Sequence, residues 1–263
     1  MHQKNYVNEI MKIFKNKTSL FLLMVIVIII SCRKDFEATA EHMSDYGWTL
    51  YEQKPSSQET LLQSHKWFLD ASTKDSEWKD AYNGQGWSKA KLVRESSLQY
   101  KQALIEMNSG IESFKLGLTK KEDIWNTIDV QSEILAGLTF AYKGYMDTTG
   151  LGSQFKTSHR MVVYYGNAFL DSNSGNFQPG WIFSHDSLIN HLDVRLNIAS
   201  SYFALSKFDS SYMQIEAIVD TLKDKYDTWD NFPPAKMAIV SKNIPTLKDR
   251  TNLLAQLDSI GII

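Results

Sequence analysis

One cysteine, Cys32, stands among 263 residues. That excludes an internal disulfide, a cysteine-built zinc site and a Cys-x-x-Cys redox pair. Glycine and proline are scarce, at 13 and 5 residues, while aromatics reach 12% of the chain. A disordered chain would show the reverse bias, so this one folds. No GxSxG elbow, Walker-type phosphate loop or HExxH pair occurs, and Gly84-Gln85-Gly86 is too short for a dinucleotide fingerprint. Nor is there a basic run of any length after residue 31, which argues against nucleic acid and against an electrostatic contact with a membrane.

The amino terminus is unlike the rest. Lys4, Lys12, Lys15 and Lys17 make a positive start, and residues 20–30 are an unbroken apolar run. Spanning a bilayer as a helix takes about 20 apolar residues, so this run has the length of a signal-peptide core. It ends in Ile29-Ile30-Ser31-Cys32. A branched apolar residue at −3, a small one at −1 and then cysteine resembles the lipobox of bacterial lipoproteins. That resemblance implies cleavage before Cys32, a diacylglycerol on its thiol and acylation of the new amine. Several acyl chains at about 0.8 kcal/mol per buried methylene would make the anchor effectively permanent. Arg33 at +2, in place of the Asp that often retains lipoproteins in the inner membrane, favours the outer membrane of a Gram-negative envelope. Arg33-Lys34-Asp35-Phe36-Glu37 also loosely resembles the charged stretch that routes Bacteroidetes lipoproteins to the cell surface.

Removing residues 1–31 leaves 24 Lys and Arg against 29 Asp and Glu, a formal charge of about −5 on 232 residues. That length suits one domain or a continuous repeat array. The expected organisation is a signal peptide over 1–31, a lipidated tether over 32–42, a helical-repeat domain over 43–230 and a capping segment over 231–263.

Apolar residues recur at spacings of three and four through most of the chain, which predicts helices. Asp186 reads as the N-cap of a helix carrying Leu188, Ile189, Leu192, Leu196, Ala199, Tyr202 and Phe203. Lys207-Phe208-Asp209 breaks the pattern before Tyr212, Ile215, Ile218, Val219 and Leu222 resume it, as in a helical hairpin. Gly47-Trp48 and Gly86-Trp87 lie 39 residues apart, the kind of recurrence that marks a repeat array. The stretch 81–87, with Tyr82 four residues before Gly86, resembles the first helix of a tetratricopeptide repeat (TPR). Ser96, Tyr100 and Ala103 would supply the small, aromatic and small positions of its second helix. Ala199 with Tyr202, then Ser211 twelve residues after Ala199, fits better. Ala136-Gly137 and Phe140, followed by Met161, Tyr165 and Ala168, make a third copy if 147–153 is a turn-rich insertion. The expected fold is therefore all-α: hairpins stacked as a TPR-like right-handed superhelix, with Trp48, Trp87, Tyr82 and Tyr100 as knobs against small residues. A helix over Thr246, Asp249, Leu253, Leu254, Leu257 and Ile260 would cap its end. An irregular helical bundle would be built from the same kinds of core positions.

For chemistry, the strongest cluster is Ser184-His185-Asp186-Ser187 with His191 and Asp193. A His-Asp pair resembles the metal-dependent HD phosphohydrolases, but nothing in spacing selects the further His and Asp that such a site needs, and Asp186 serves as a helix cap. The sequence gives no positive sign of catalysis, and no cofactor or metal is implied. Exposed aromatics on a concave helical face suit a peptide or a sugar ring, and Trp78, Tyr82, Trp181 and Tyr202 are the candidate binding surface. The expected role is a protein–protein scaffold for another envelope protein or peptide, held to the membrane by lipid on Cys32. A glycan-binding role is the alternative. Nutrient-binding lipoproteins of the SusD type also carry TPR-like helices and often begin as Ser31-Cys32-Arg33-Lys34-Asp35-Phe36 does here, though they are about twice as long. A metal-dependent hydrolase ranks third.

Overall fold

Helix starts follow the side chains that cap them. Thr39 accepts from the backbone N–H of His42 at the start of α1 (Ala40–Tyr51), and Ser57 accepts from Thr60 at the start of α2 (Gln58–Lys74). Each satisfies an N–H that the first helical turn leaves without an internal partner. α3 (Lys79–Glu95), α4 (Tyr100–Leu118), α5 (Val130–Thr149), α6 (Ser153–Ser172), α7 (His191–Ala204) and α8 (Phe208–Tyr226) complete the helices. α7 opens with a capping box: Asn190 accepts from the Leu192 N–H, and the Asp193 carboxylate accepts the Asn190 N–H at 2.8 Å.

The computed structural model describes residues 37–121, 129–149, 153–172 and 180–226, together with Phe21 and Met24. The signal region and lipobox, Cys32, Trp229 and the capping segment 231–263 lie outside the described residues. Among the described residues, no helix is long and apolar enough to cross a membrane.

Each helix packs on its successor in the chain. In addition α1 packs on α3, α3 on α5 and α5 on α7, whereas the second helices of the hairpins make no comparable contact with one another. First helices thus form one layer and second helices another, the arrangement of stacked hairpins in a TPR-like array. The all-α expectation holds: among the described residues the only extended pairing is an isolated antiparallel bridge between Ile182 and Asn190.

What locks the layers together is ring against glycine. Phe68 of α2 and Phe114 of α4 are fully buried. A Cβ added at Gly84 would overlap the Phe68 ring, and one at Gly47 would crowd it. Gly86 and Gly137 stand in the same relation to Phe114. Each phenyl therefore fills hollows on two successive first helices, its own and the next, at about 1.5–3 kcal/mol per buried ring. Gln85 reinforces this side, donating to Phe68 O (3.2 Å) and Ser72 Oγ (2.8 Å) and accepting from Ser113. In the last hairpin Ser211 Oγ donates to Ala199 O at 2.7 Å, the pair that the twelve-residue spacing predicts.

Several expectations need correcting. The principal knobs are phenylalanines of the second helices; Tyr82 is buried against Gly117, but Tyr100 is 57% exposed at the first turn of α4. Ser96 is the C-cap of α3, so the small–aromatic–small frame of α4 is Gly110, Phe114 and Gly117, fourteen residues further on. α2 repeats it as Ser64, Phe68 and Ala71. The frame slipped because both readings obey spacings of four and three, and only burial tells them apart. α5 continues helical to Thr149, through residues expected to be a turn-rich insertion. Asp186 caps no helix: α7 begins at His191, and Leu188, assigned to its buried face, is 75% exposed. Asn190 with Asp193 out-competes Asp186 because it satisfies both ends of a capping box.

Candidate functional site

Segment 181–190, which leads into α7, folds back over the first-helix layer. It is pinched by Phe183 N–H donating to Ile189 O (2.9 Å), Ile189 N–H to Asp186 O (2.9 Å) and His191 N–H to Trp181 O (3.1 Å). The fully buried Phe183 stacks on Trp87 of α3, ring centres 4.2 Å apart. His185 lies flat on Trp48 of α1 at 3.6 Å, and its Nδ1 donates to Glu52 at 2.8 Å. Aromatic stacking of this kind adds about 0.5–1.5 kcal/mol beyond area burial. The face that a peptide was expected to occupy thus holds a piece of the chain itself.

Beneath the segment lies a buried polar cluster. Glu133 of α5, 2% exposed, accepts from the Ser184 backbone N–H (3.2 Å), the Ser184 hydroxyl and Asn83 Nδ2 (2.7 Å). Asp80 of α3 accepts from Trp48 Nε1 (2.8 Å) and from Asn83 Nδ2 (3.3 Å). Burial pushes the Glu133 carboxyl up to about 7, against the pull of its donors and with Asp80 adding to the rise. Burial likewise raises Asp80, opposed by the Trp48 hydrogen bond. His185 moves the other way, lowered by burial although Glu52 favours its charged form. Asn83 Oδ1 and His185 Nε2 are left without hydrogen-bond partners. Shielded from water and joined through one amide, both carboxyls are shifted toward the protonated form.

Beside the segment a cavity of about 300 Å³ opens between α1, α3, α4 and α5. Tyr51, Trp87 and Met107, all buried, line its inner part, and Phe140, Ala90 and Val93 its sides. Gly144, Lys91, Arg94 and Lys143 complete the lining, which contains no acidic residue.

Comparison with protein-family models, with curated proteins and with solved structures finds no match for this chain. Its function is therefore argued from its own residues.

The four residues named as a binding surface sit in separate parts of the fold. Trp78 is the N-cap of α3, donating through Nε1 to Ser44 at 2.9 Å. Tyr82 is 7% exposed, with its hydroxyl donating to Ser76 O at 3.0 Å. Trp181 packs edge-on against Phe169 at 4.9 Å, and the Tyr202 hydroxyl accepts from Asn167 at 3.0 Å. The residues weighed for metal chemistry also diverge. His185 faces Trp48, Asp186 accepts from the Leu188 N–H (3.2 Å), and His191 is buried with Nδ1 near Trp181 O. Among the described residues no three His, Cys, Asp or Glu side chains converge as ligands for a metal ion. Asp80, Asn83, Lys91, Glu133 and Ser184 were not foreseen as a group. The one signal for part of it is the stripe Asp80, Asn83, Trp87 and Lys91, polar and aromatic at helical spacing.

Proposed function

We propose that this chain is a lipid-anchored envelope protein whose stacked hairpins serve as a scaffold for another envelope protein. Ile29-Ile30-Ser31-Cys32 after an eleven-residue apolar run supports the anchor. The observation that carries the binding half is the seat of segment 181–190. The first-helix layer already holds a turn-rich loop of the chain, with Trp87 and Trp48 stacking the alternate side chains Phe183 and His185 and Glu133 taking a main-chain N–H. A stacked array extends such a face over several hairpins, and a lipid confines the search for a partner to the membrane plane.

Two measurements test this. Growth on labelled fatty acid puts label into the wild type and none into Cys32→Ala; label in both, or in neither, removes the anchor. Cross-linking in intact membranes, followed by detergent extraction, recovers one envelope protein in stoichiometric amount with the wild type and far less with Cys32→Ala. If no protein is recovered and a polysaccharide retards the purified chain in a native gel, the nutrient-binding alternative replaces the scaffold.

A further inference from the structure

The cavity beside the segment carries an inference that does not depend on the scaffold reading. Lys91 is only 5% exposed. Its ammonium donates to Tyr51 O at 2.7 Å and lies 4.3 Å from the centre of the Tyr51 ring. Tyr51 is the last residue of α1, so one donor caps that helix and meets the negative end of its dipole. Glu95 and Asp186 favour its charged form through space, but among the described residues no carboxylate bonds the ammonium directly. Such a group is costly unless an anion joins it. An ammonium has three donors, and this one lines an open cavity. Arg94 and Lys143 add two further cations to the same lining. Arg94 is partly offset by Glu95 at 2.9 Å, outside the cavity. Below the cations the wall turns apolar and aromatic: Trp87 and Phe140, ring centres 5.8 Å apart, with Met107 beside them. At about 300 Å³ the space is at the small end of the range of about 300–1,000 Å³ found for ligand pockets.

We propose that this cavity binds a small amphipathic monocarboxylate, a single ring or short branched chain ending in a carboxylate. The carboxylate meets Lys91, with Arg94 and Lys143 around it, and the apolar body lies against Trp87, Phe140 and Met107. The anion gives Lys91 a directly bonded counter-charge beside the through-space ones of Glu95 and Asp186, and the apolar walls favour an apolar body over an inorganic ion.

Calorimetric titration of the detergent-solubilised full chain with 3-phenylpropionate, 4-methylpentanoate and octanoate tests this. At least one acid binds saturably at one site per chain, and its neutral amide binds at least about tenfold more weakly. An acetylated dipeptide ending in a free phenylalanine carboxylate separates the two sources of the group. Weaker binding than 3-phenylpropionate assigns the site to free acids, and tighter binding overturns that assignment. Lys91→Met weakens the acid at least about tenfold but also removes the cap on α1. Ala90→Phe fills the cavity while keeping all three cations and the cap on α1, and abolishes binding while the chain stays folded by circular dichroism. Acid and amide binding alike, an unchanged affinity in Ala90→Phe, or no saturable heat from any acid up to about 10 mM would overturn the proposal.

Discussion

α3 is buried almost all round, yet its two sides are filled by different physics. Toward the second helices, Gly84 and Gly86 are hollows occupied by the rings of Phe68 and Phe114. Toward the other first helices and segment 181–190, Asp80 and Asn83 join a network with Glu133, and Trp87 and Lys91 line the cavity. The first side depends chiefly on shape, since a single added methyl collides, and its buried His65 beside Ser88 is held down at about 4 by burial. The second depends on satisfying polar groups, so its stability follows the protonation of buried carboxyls. One helix thus gives rigid docking on one side and a titratable, ligand-accessible face on the other.

The largest expected effect strikes the shape-filled side. Phe114→Ala empties the space over Gly86 and Gly137 and costs about 3–5 kcal/mol. That is a large share of the roughly 5–15 kcal/mol that holds a typical domain together. It is read as a drop in the urea midpoint at unchanged slope. A loss below about 1 kcal/mol would show that the ring does not lock the layers.

Gly84→Ala comes next, at about 1–3 kcal/mol from overpacking. Combining it with Phe68→Leu recovers part of that loss, because the smaller side chain vacates the colliding space. Strictly additive losses in the double-mutant cycle would separate hollow from ring.

The polar side is sharpened by pH. The Glu133 carboxyl sits at about 7 in the fold, against an ordinary value of 4.5. Between those values the folded state holds the proton more tightly than the unfolded chain does. Its contribution is therefore full below about 4.5 and is lost as pH rises through about 7. The stability difference between wild type and Glu133→Gln should fall across that window, and a flat difference would show that Glu133 does not make stability pH-dependent. His159, held down at about 4 by burial and secondarily by Lys143, acts in the opposite direction. Its contribution is present above about 6.5 and lost as pH falls toward 4, so variant differences are the readout, not the wild-type profile alone.

The smallest effect lies away from both sides. Ser206, in the turn between α7 and α8, has φ 59°, a left-handed conformation that costs a side chain about 1–2 kcal/mol. Ser206→Gly gains at most about 1 kcal/mol, trimmed by the extra freedom glycine gives the unfolded chain. A loss of stability would mean that the serine side chain itself holds the turn.

Much of the fold was legible. Apolar spacing gave the helices, and Ala199 with Ser211 gave the last hairpin's pairing. Gly47 and Gly86 marked first-helix hollows, but what fills them was missed. Spacing of four and three fits Ser96, Tyr100 and Ala103 as well as Gly110, Phe114 and Gly117, and a one-dimensional pattern carries no burial. The candidate site was far less legible. His185 and Asp186 drew notice as chemistry, yet His185 matters through its stack on Trp48, and Ser184 through its grip on Glu133. Their partners lie 137 and 51 positions away along the chain, and no local rule links them.

By itself, the sequence determined helical periodicity, the scarcity of cysteine and the positive–apolar–cysteine order of the amino terminus. These are properties of neighbouring residues, set by backbone sterics, local hydrogen bonds and composition. Only the tertiary structure decided that segment 181–190 lies on the first-helix layer, that Glu133 and Asp80 share one amide, and that Lys91 lines a cavity with no directly bonded carboxylate among the described residues. Those facts depend on which surfaces lose water together, and that is settled when distant helices pack.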